Sequence, residues 1–166
     1  FHTQTEPFLL ENARLEAAQE IVKIENPDIL VLAEACFSKE NRHGIFMNYA
    51  GLFGFPYHAH VQSISKSKWG ESLLSKYPLL GVEERCEHHQ ISLKTRIDFG
   101  ISPIHVDVVH PNPDLAEEEK ALFLEKVMED MQKPYVLAGD FNAISPNDPY
   151  DREKMIRSFK FEKDPQ

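Results

Sequence analysis

"PYVLAGDFNAISPND", residues 134–148, decides the reading of the fold. "YVLAGDF" is an almost unbroken apolar run of strand length, the pattern of a strand covered on both faces. It ends abruptly in Gly139, Asp140, Phe141 and Asn142. Asp140 and Asn142 are two residues apart, a spacing that on a strand turns both side chains to one face. A buried strand is a rigid rod, and a carboxylate and an amide at its tip are groups held at a site.

The segments upstream repeat this theme. Lys133-Pro134 closes a helix expected to run from Asp114 to about Gln132. Asp114 stands as its cap, with Glu117 three residues on as the capping-box partner. Leu115, Leu122, Phe123, Val127 and Met131 form its expected inner stripe. "HPNPD" breaks the chain before that helix, and "SPIHVDVVH" before the break reads as a strand ending on His110. Near the start, "FLLENARLEAAQEIVKIE" (8–25) reads as a helix, with Leu10, Ala13, Ala17, Ile21 and Ile24 recurring at intervals of three and four. Asn26-Pro27-Asp28 turns the chain. "ILVLAEA" follows as another buried strand, with Glu34 near its end. Residues 40–53 suggest a short helix, "PYHAHVQ" a strand, "SKSKWG" a polar loop, "ESLLSKYPLL" a short strand closed by Pro78, and "QISLKTRI" a strand. "DREKMIRSF" opens a last helix. Alternating helices and buried strands indicate an α/β layered protein.

The whole chain has 166 residues and 42% hydrophobic residues, which suits a single domain spanning 1–166 with a real core. No apolar run approaches the roughly 18 residues that cross a membrane, and no signal peptide is visible. Lysine and arginine number 18 against 27 acidic residues, a net charge of −9. Nucleic-acid binders usually carry a basic surplus, so the acidic balance weighs against tight nucleic-acid binding, although a local basic patch or a bound divalent cation would offset it. Cys36 and Cys86 match no metal-ligand spacing. Read as two reduced thiols, they lean towards a cytoplasmic location.

Three of the strands end in polar groups: Glu34, His110, and Asp140 with Asn142. Ligands of layered α/β proteins bind beyond the carboxyl ends of the strands, so groups distant in sequence converge at one rim. Carboxylate and amide oxygens suit a hard cation such as magnesium, with manganese as a substitute. Histidine donates a hydrogen bond or a proton near neutral pH, and a carboxylate beside it orients water. Oxygen ligands, a histidine and no thiol point to metal-assisted hydrolysis of phosphate esters.

In this set the sequence resembles the endonuclease/exonuclease/phosphatase superfamily, which includes the deoxyribonuclease-like enzymes. Four blocks carry the resemblance, in the family's order: "NPDILVLAEA", "WGESLLSKYPL" with Lys76 in place of the usual arginine, "IHVDVVHPNPD" and "LAGDFNA". The resemblance implies a four-layer sandwich, two packed β-sheets flanked by helices. It implies that Glu34 binds magnesium, that Asp140 positions or activates water, that Asn142 bonds the phosphate, and that His110 stabilises or protonates the phosphoryl oxygens. Family members also carry an N-terminal strand with an asparagine and a C-terminal Asp-His pair. By this resemblance the fold is incomplete at both ends of the 166 residues. The substrates implied are phosphoesters: nucleic acid, a phospholipid head group or a small phosphodiester. The expected form is a monomer. A second reading is a catalytically impaired member that keeps the fold as a binding module.

Lys68 and Trp69, just before the second block, are candidates for meeting a substrate phosphate and stacking on a base. Glu71, where many relatives carry an uncharged Asn, receives no role. His58 and His60 share a strand face and read as exposed histidines. His105 and Asp107 share the face opposite His110 and read as structural or surface residues. The acidic run at 117–120 is the polar face of a helix.

Overall fold

The computed structural model describes residues 7–36, 49–62, 69–87, 90–143, 149 and 151. Lys68, His88-His89, the loop before Trp69, the part of the expected short helix before Tyr49 and the last helix lie outside the described residues. So do the side chains of Cys36 and Trp69.

The elements in chain order are α1 (Pro7–Glu25), β1 (Ile29–Cys36), α2 (Tyr49–Phe53), β2 (Tyr57–Gln62), β3 (Trp69–Ser75), β4 (Leu79–Glu87), β5 (Gln90–Asp98), β6 (Pro103–Val109), α3 (Glu117–Met128) and β7 (Tyr135–Gly139). They build two sheets. One is antiparallel, in the order β1-β3-β2; the other runs β4-β5-β6-β7, antiparallel except for the parallel β6–β7 pair.

Strand parity sorts the apolar side chains into three layers of packing. Ala59, Val61, Leu73, Ile91, Leu93, Ile97, Val106 and Val108 meet between the sheets, with Ile29 and Val31 against them. On the outer side of the first sheet, Leu74, Leu30 and Leu32 pack with Val22 of α1 and with Ala50 and Phe53 of α2. On the outer side of the second, Val109 and Leu137 pack with Phe123 and Val127 of α3. The result is helix, sheet, sheet, helix, the four-layer sandwich expected. β1 fits its continuous apolar sequence, since Ile29 and Val31 face one layer and Leu30 and Leu32 the other.

Several boundaries differ from the sequence reading. The strand expected to be closed by Pro78 ends earlier, at Ser75, and Leu79 and Leu80 already belong to the next strand. Pro78 sits in the short link that carries the chain from β3 in one sheet to β4 in the other, and Tyr77 of that link packs on Phe99. β4 follows, an edge strand whose sequence, "LLGVEERCE", lacks a clean apolar face. Charges on an edge strand discourage pairing with another chain.

α3 starts at Glu117, because Asn112 Oδ1 takes the Asp114 N–H (3.0 Å) in a turn. Ala116 is the N-cap, and the Glu119 carboxylate accepts the Ala116 N–H at 3.2 Å. The buried stripe of α3 is Lys120, Phe123 and Val127, while Leu122 and Met131 are exposed. In α1 the exposed face likewise holds Ala17, Ile21 and Ile24, and the packed face holds Val22, with Gln19 donating to the Leu52 carbonyl at 2.8 Å. Two apolar stripes compete on each helix, and the neighbouring layer selects one.

Candidate active site

The ends of β1, β3, β6 and β7 bring the site together. β7 stops at Gly139, so Asp140 and Asn142 lie beyond the pleat and do not share a strand face. A turn sets them: Asp140 Oδ1 accepts the Asn142 N–H at 2.9 Å, and Asn142 has φ +47. Asparagine tolerates this left-handed region better than most residues. The Asn142 amide Nδ2 donates to the carbonyl of Pro111 at 2.8 Å. That bond ties the turn to the segment leaving β6.

Gly139 sets the approach of the two strands. Its φ is +141, and a Cβ placed there would lie 1.8 Å from the Val109 carbonyl oxygen. Only glycine lets the β7 backbone sit this close to β6. Parallel register then pairs Val109 with Gly139, so the next residues, His110 and Asp140, leave the sheet side by side.

Glu34 reaches the same rim through a bulge. In the β1–β3 ladder Leu32 pairs with Ser72 and Ala35 with Gly70, so Ala33 and Glu34 together oppose Glu71. Unbroken alternation from Leu30 and Leu32 would aim Glu34 at the outer helices. The extra residue, with Glu34 at φ +55, turns it towards the gap between the sheets instead.

His110 lies between two carboxylates. Nδ1 is 3.5 Å from Glu71 Oε1, and Nε2 is 4.0 Å from Glu34 Oε1. The two differ in setting: the Glu71 side chain is 8% exposed and that of Glu34 67%. Glu71, chiefly by hydrogen bonding, holds His110 above the ordinary imidazole value against the opposing effect of burial, and Glu34 and Asp140 add to it.

Glu71 is the residue that sequence reasoning passed over. Its signal was parity. Glu71, Leu73 and Ser75 alternate on one face of β3, and Leu73 lies between the sheets, so Glu71 is a carboxylate on the inner face at the rim. His60, read as exposed, is half-buried, with Nδ1 3.0 Å from the Glu71 carbonyl oxygen, whereas His58 is exposed. Asp107 is fully buried on the side of α3 and accepts the Tyr135 hydroxyl at 2.7 Å, away from the site.

Among the described residues no three His, Cys, Asp or Glu side chains are grouped to hold a metal by themselves. Magnesium keeps several waters and takes only one or two protein carboxylates, and the exposed carboxylate of Glu34, which acts with that of Asp140 on the same His110 ring, fits that demand.

No curated protein sequence matches the chain. Solved structures similar in fold include D. rerio TDP2 complexed with single-strand DNA product, with TM-score 0.62 and 14% identity, covering 84% of this chain and 57% of that one. ANGEL2, a 2',3'-cyclic phosphatase solved with adenosine-2',3'-vanadate, has TM-score 0.60 and 21% identity, covering 82% and 45%. An endonuclease/exonuclease/phosphatase family protein from Leptotrichia buccalis C-1013-b has TM-score 0.61 and 16% identity, covering 86% and 64%. The chain thus spans roughly half to two-thirds of each of these structures. The sequence model of the Endonuclease/Exonuclease/phosphatase family matches residues 4–161, nearly the whole length, and the chain belongs to that family.

Proposed function

We propose that these 166 residues form part of one catalytic domain of a magnesium-dependent phosphodiesterase. The observation that carries the reading is the placement of His110 between Glu34 and Glu71, at the rim where β7 delivers Asp140 and Asn142. A magnesium or manganese ion held by Glu34 would offset negative charge on the phosphoryl oxygens. Asp140 is exposed, and its Oδ1 already accepts the Asn142 N–H. Its carboxylate orients a water and takes a proton as the new P–O bond forms and the ester P–O bond breaks. His110, kept in its donating form to higher pH by its carboxylate neighbours, gives a hydrogen bond or a proton to the phosphoryl or departing oxygen. The Asn142 amide adds a fixed dipole at the same charge.

Substrate class follows from charge and from likeness. A net charge of −9 disfavours duplex DNA. TDP2 with single-strand DNA product and ANGEL2 with a cyclic nucleotide analogue support a nucleotide or single-strand phosphodiester.

Hydrolysis of bis-p-nitrophenyl phosphate by the full-length protein tests metal dependence. EDTA is expected to abolish it and magnesium to restore it. Glu34→Gln is expected to raise the magnesium needed for half-maximal rate by about tenfold to a hundredfold. Activity indifferent to EDTA would overturn the metal role.

A further inference from the structure

The inner stripe of α3 contains a lysine where helix periodicity asks for an apolar residue. Lys120 is 5% exposed and shares its face with Phe123 and Val127. Burying an ammonium is unfavourable unless it is well paired. Its Nζ donates to Glu117 Oε1 and to the main-chain carbonyl of Asn142, both at 2.9 Å. Glu117 is 72% exposed, so its share is screened by water. The bond to Asn142 is the one that crosses between elements.

That bond completes a three-sided hold on one residue. The N–H of Asn142 goes to Asp140, its Nδ2 to Pro111, and its carbonyl takes Lys120. At φ +47 the carbonyl is turned out of the sheet ladder, and a charged donor is the stronger kind of partner for it. With N–H, carbonyl and one amide hydrogen all engaged, rotation of the turn is blocked. Among the described residues nothing further engages Asn142 Oδ1 or the second amide hydrogen, and both could serve a ligand.

We propose that Lys120 is a positioning residue for phosphoester hydrolysis, acting through the Asn142 turn; this rests on the phosphodiesterase reading above. It touches no substrate, so its loss is felt in the chemical step. For the full-length protein on bis-p-nitrophenyl phosphate with magnesium, Lys120→Met is expected to lower kcat by up to about a hundredfold. KM should stay within about twofold of wild type. Lys120→Arg, which keeps a charged donor, should recover most of the loss. Lys126→Met, on the exposed face of the same helix, should behave as wild type. The melting temperature of Lys120→Met should stay within about 5 °C of wild type, since removing the buried charge offsets the lost bond. The Asn142 side-chain amide resonances should move in its NMR spectrum.

A folded Lys120→Met with wild-type kcat would overturn the proposal, as would a loss of rate that only tracks a loss of folded protein. If Lys120→Met does not fold, Lys120→Gln takes its place under the same criterion. Wild-type inactivity would overturn the phosphodiesterase reading itself. An active wild type with an unaffected Lys120→Met would sink the positioning role alone.

Discussion

His110 has a buried carboxylate on one ring nitrogen and an exposed one near the other. Under the proposed reading this asymmetry gives the two acids different work. Glu71 is 8% exposed and placed to orient the ring and to stabilise its cationic form. Glu34 is open to water, at 67% exposure. Glu71→Gln keeps the shape and removes the charge. It is expected to lower kcat by about a hundredfold, with the fold intact by circular dichroism; an unchanged kcat would show that His110 needs no carboxylate there. His110, Asp140 and Asn142 were legible as a set because each follows an apolar run. Glu71 was harder to see, since its role depends on which face of β3 meets the other sheet. The pleat shared by Asp140 and Asn142 was misread, because the strand ends one residue before them and the turn takes over.

Elements set the site by where they stop or slip. The β1 bulge re-aims Glu34, Gly139 brings β7 against β6, and α3 packs on Val109 and Leu137. The residue just past the C-cap of α3 is tied back to the second sheet. Asp130 Oδ1 and Oδ2 accept two bonds from Arg85 at 2.8 and 2.6 Å, and Lys94 gives a third at 2.7 Å. Hydrogen bonds from Arg85 and then Lys94 hold the Asp130 carboxyl well below the usual carboxylate range. A carboxylate with a depressed folded-state pKa adds stability above its unfolded value and loses it as pH falls through the folded one. Asp130→Asn is therefore expected to be less stable than wild type at pH 7. The carboxylate is 52% exposed, so the effect is on the order of 1 kcal/mol or less. Below about pH 4 the gap should narrow, and melting curves of both proteins across pH 2–7 measure it. A gap that widens towards acid would contradict the assignment. Strand existence was legible from apolar runs. Helix faces were legible in part: Phe123 and Val127 of the expected α3 stripe are buried, whereas Leu122 and, on α1, Ile21 are exposed, because packing picks between neighbouring stripes. β4 was hidden because an edge strand needs no clean apolar face.

At the scale of the whole molecule, two sheets share one inner core, and helices cover the outer faces. The sandwich matters for chemistry because His110 comes from one sheet and Glu34 and Glu71 from the other. The α/β layering was legible from the alternation of helices and buried runs. That the rim groups meet across the gap between the sheets was not, because no local pattern records it. The central claim is that phosphoester bonds are cut at the end of β7. The measurement is bis-p-nitrophenyl phosphate hydrolysis, with magnesium, by the full-length wild type and by Asp140→Ala. The expected result is turnover in wild type and a fall of about a thousandfold in Asp140→Ala, whose fold is unchanged. Equal rates in the two proteins would contradict it, and no turnover in either would turn the reading towards a binding module built on the same fold.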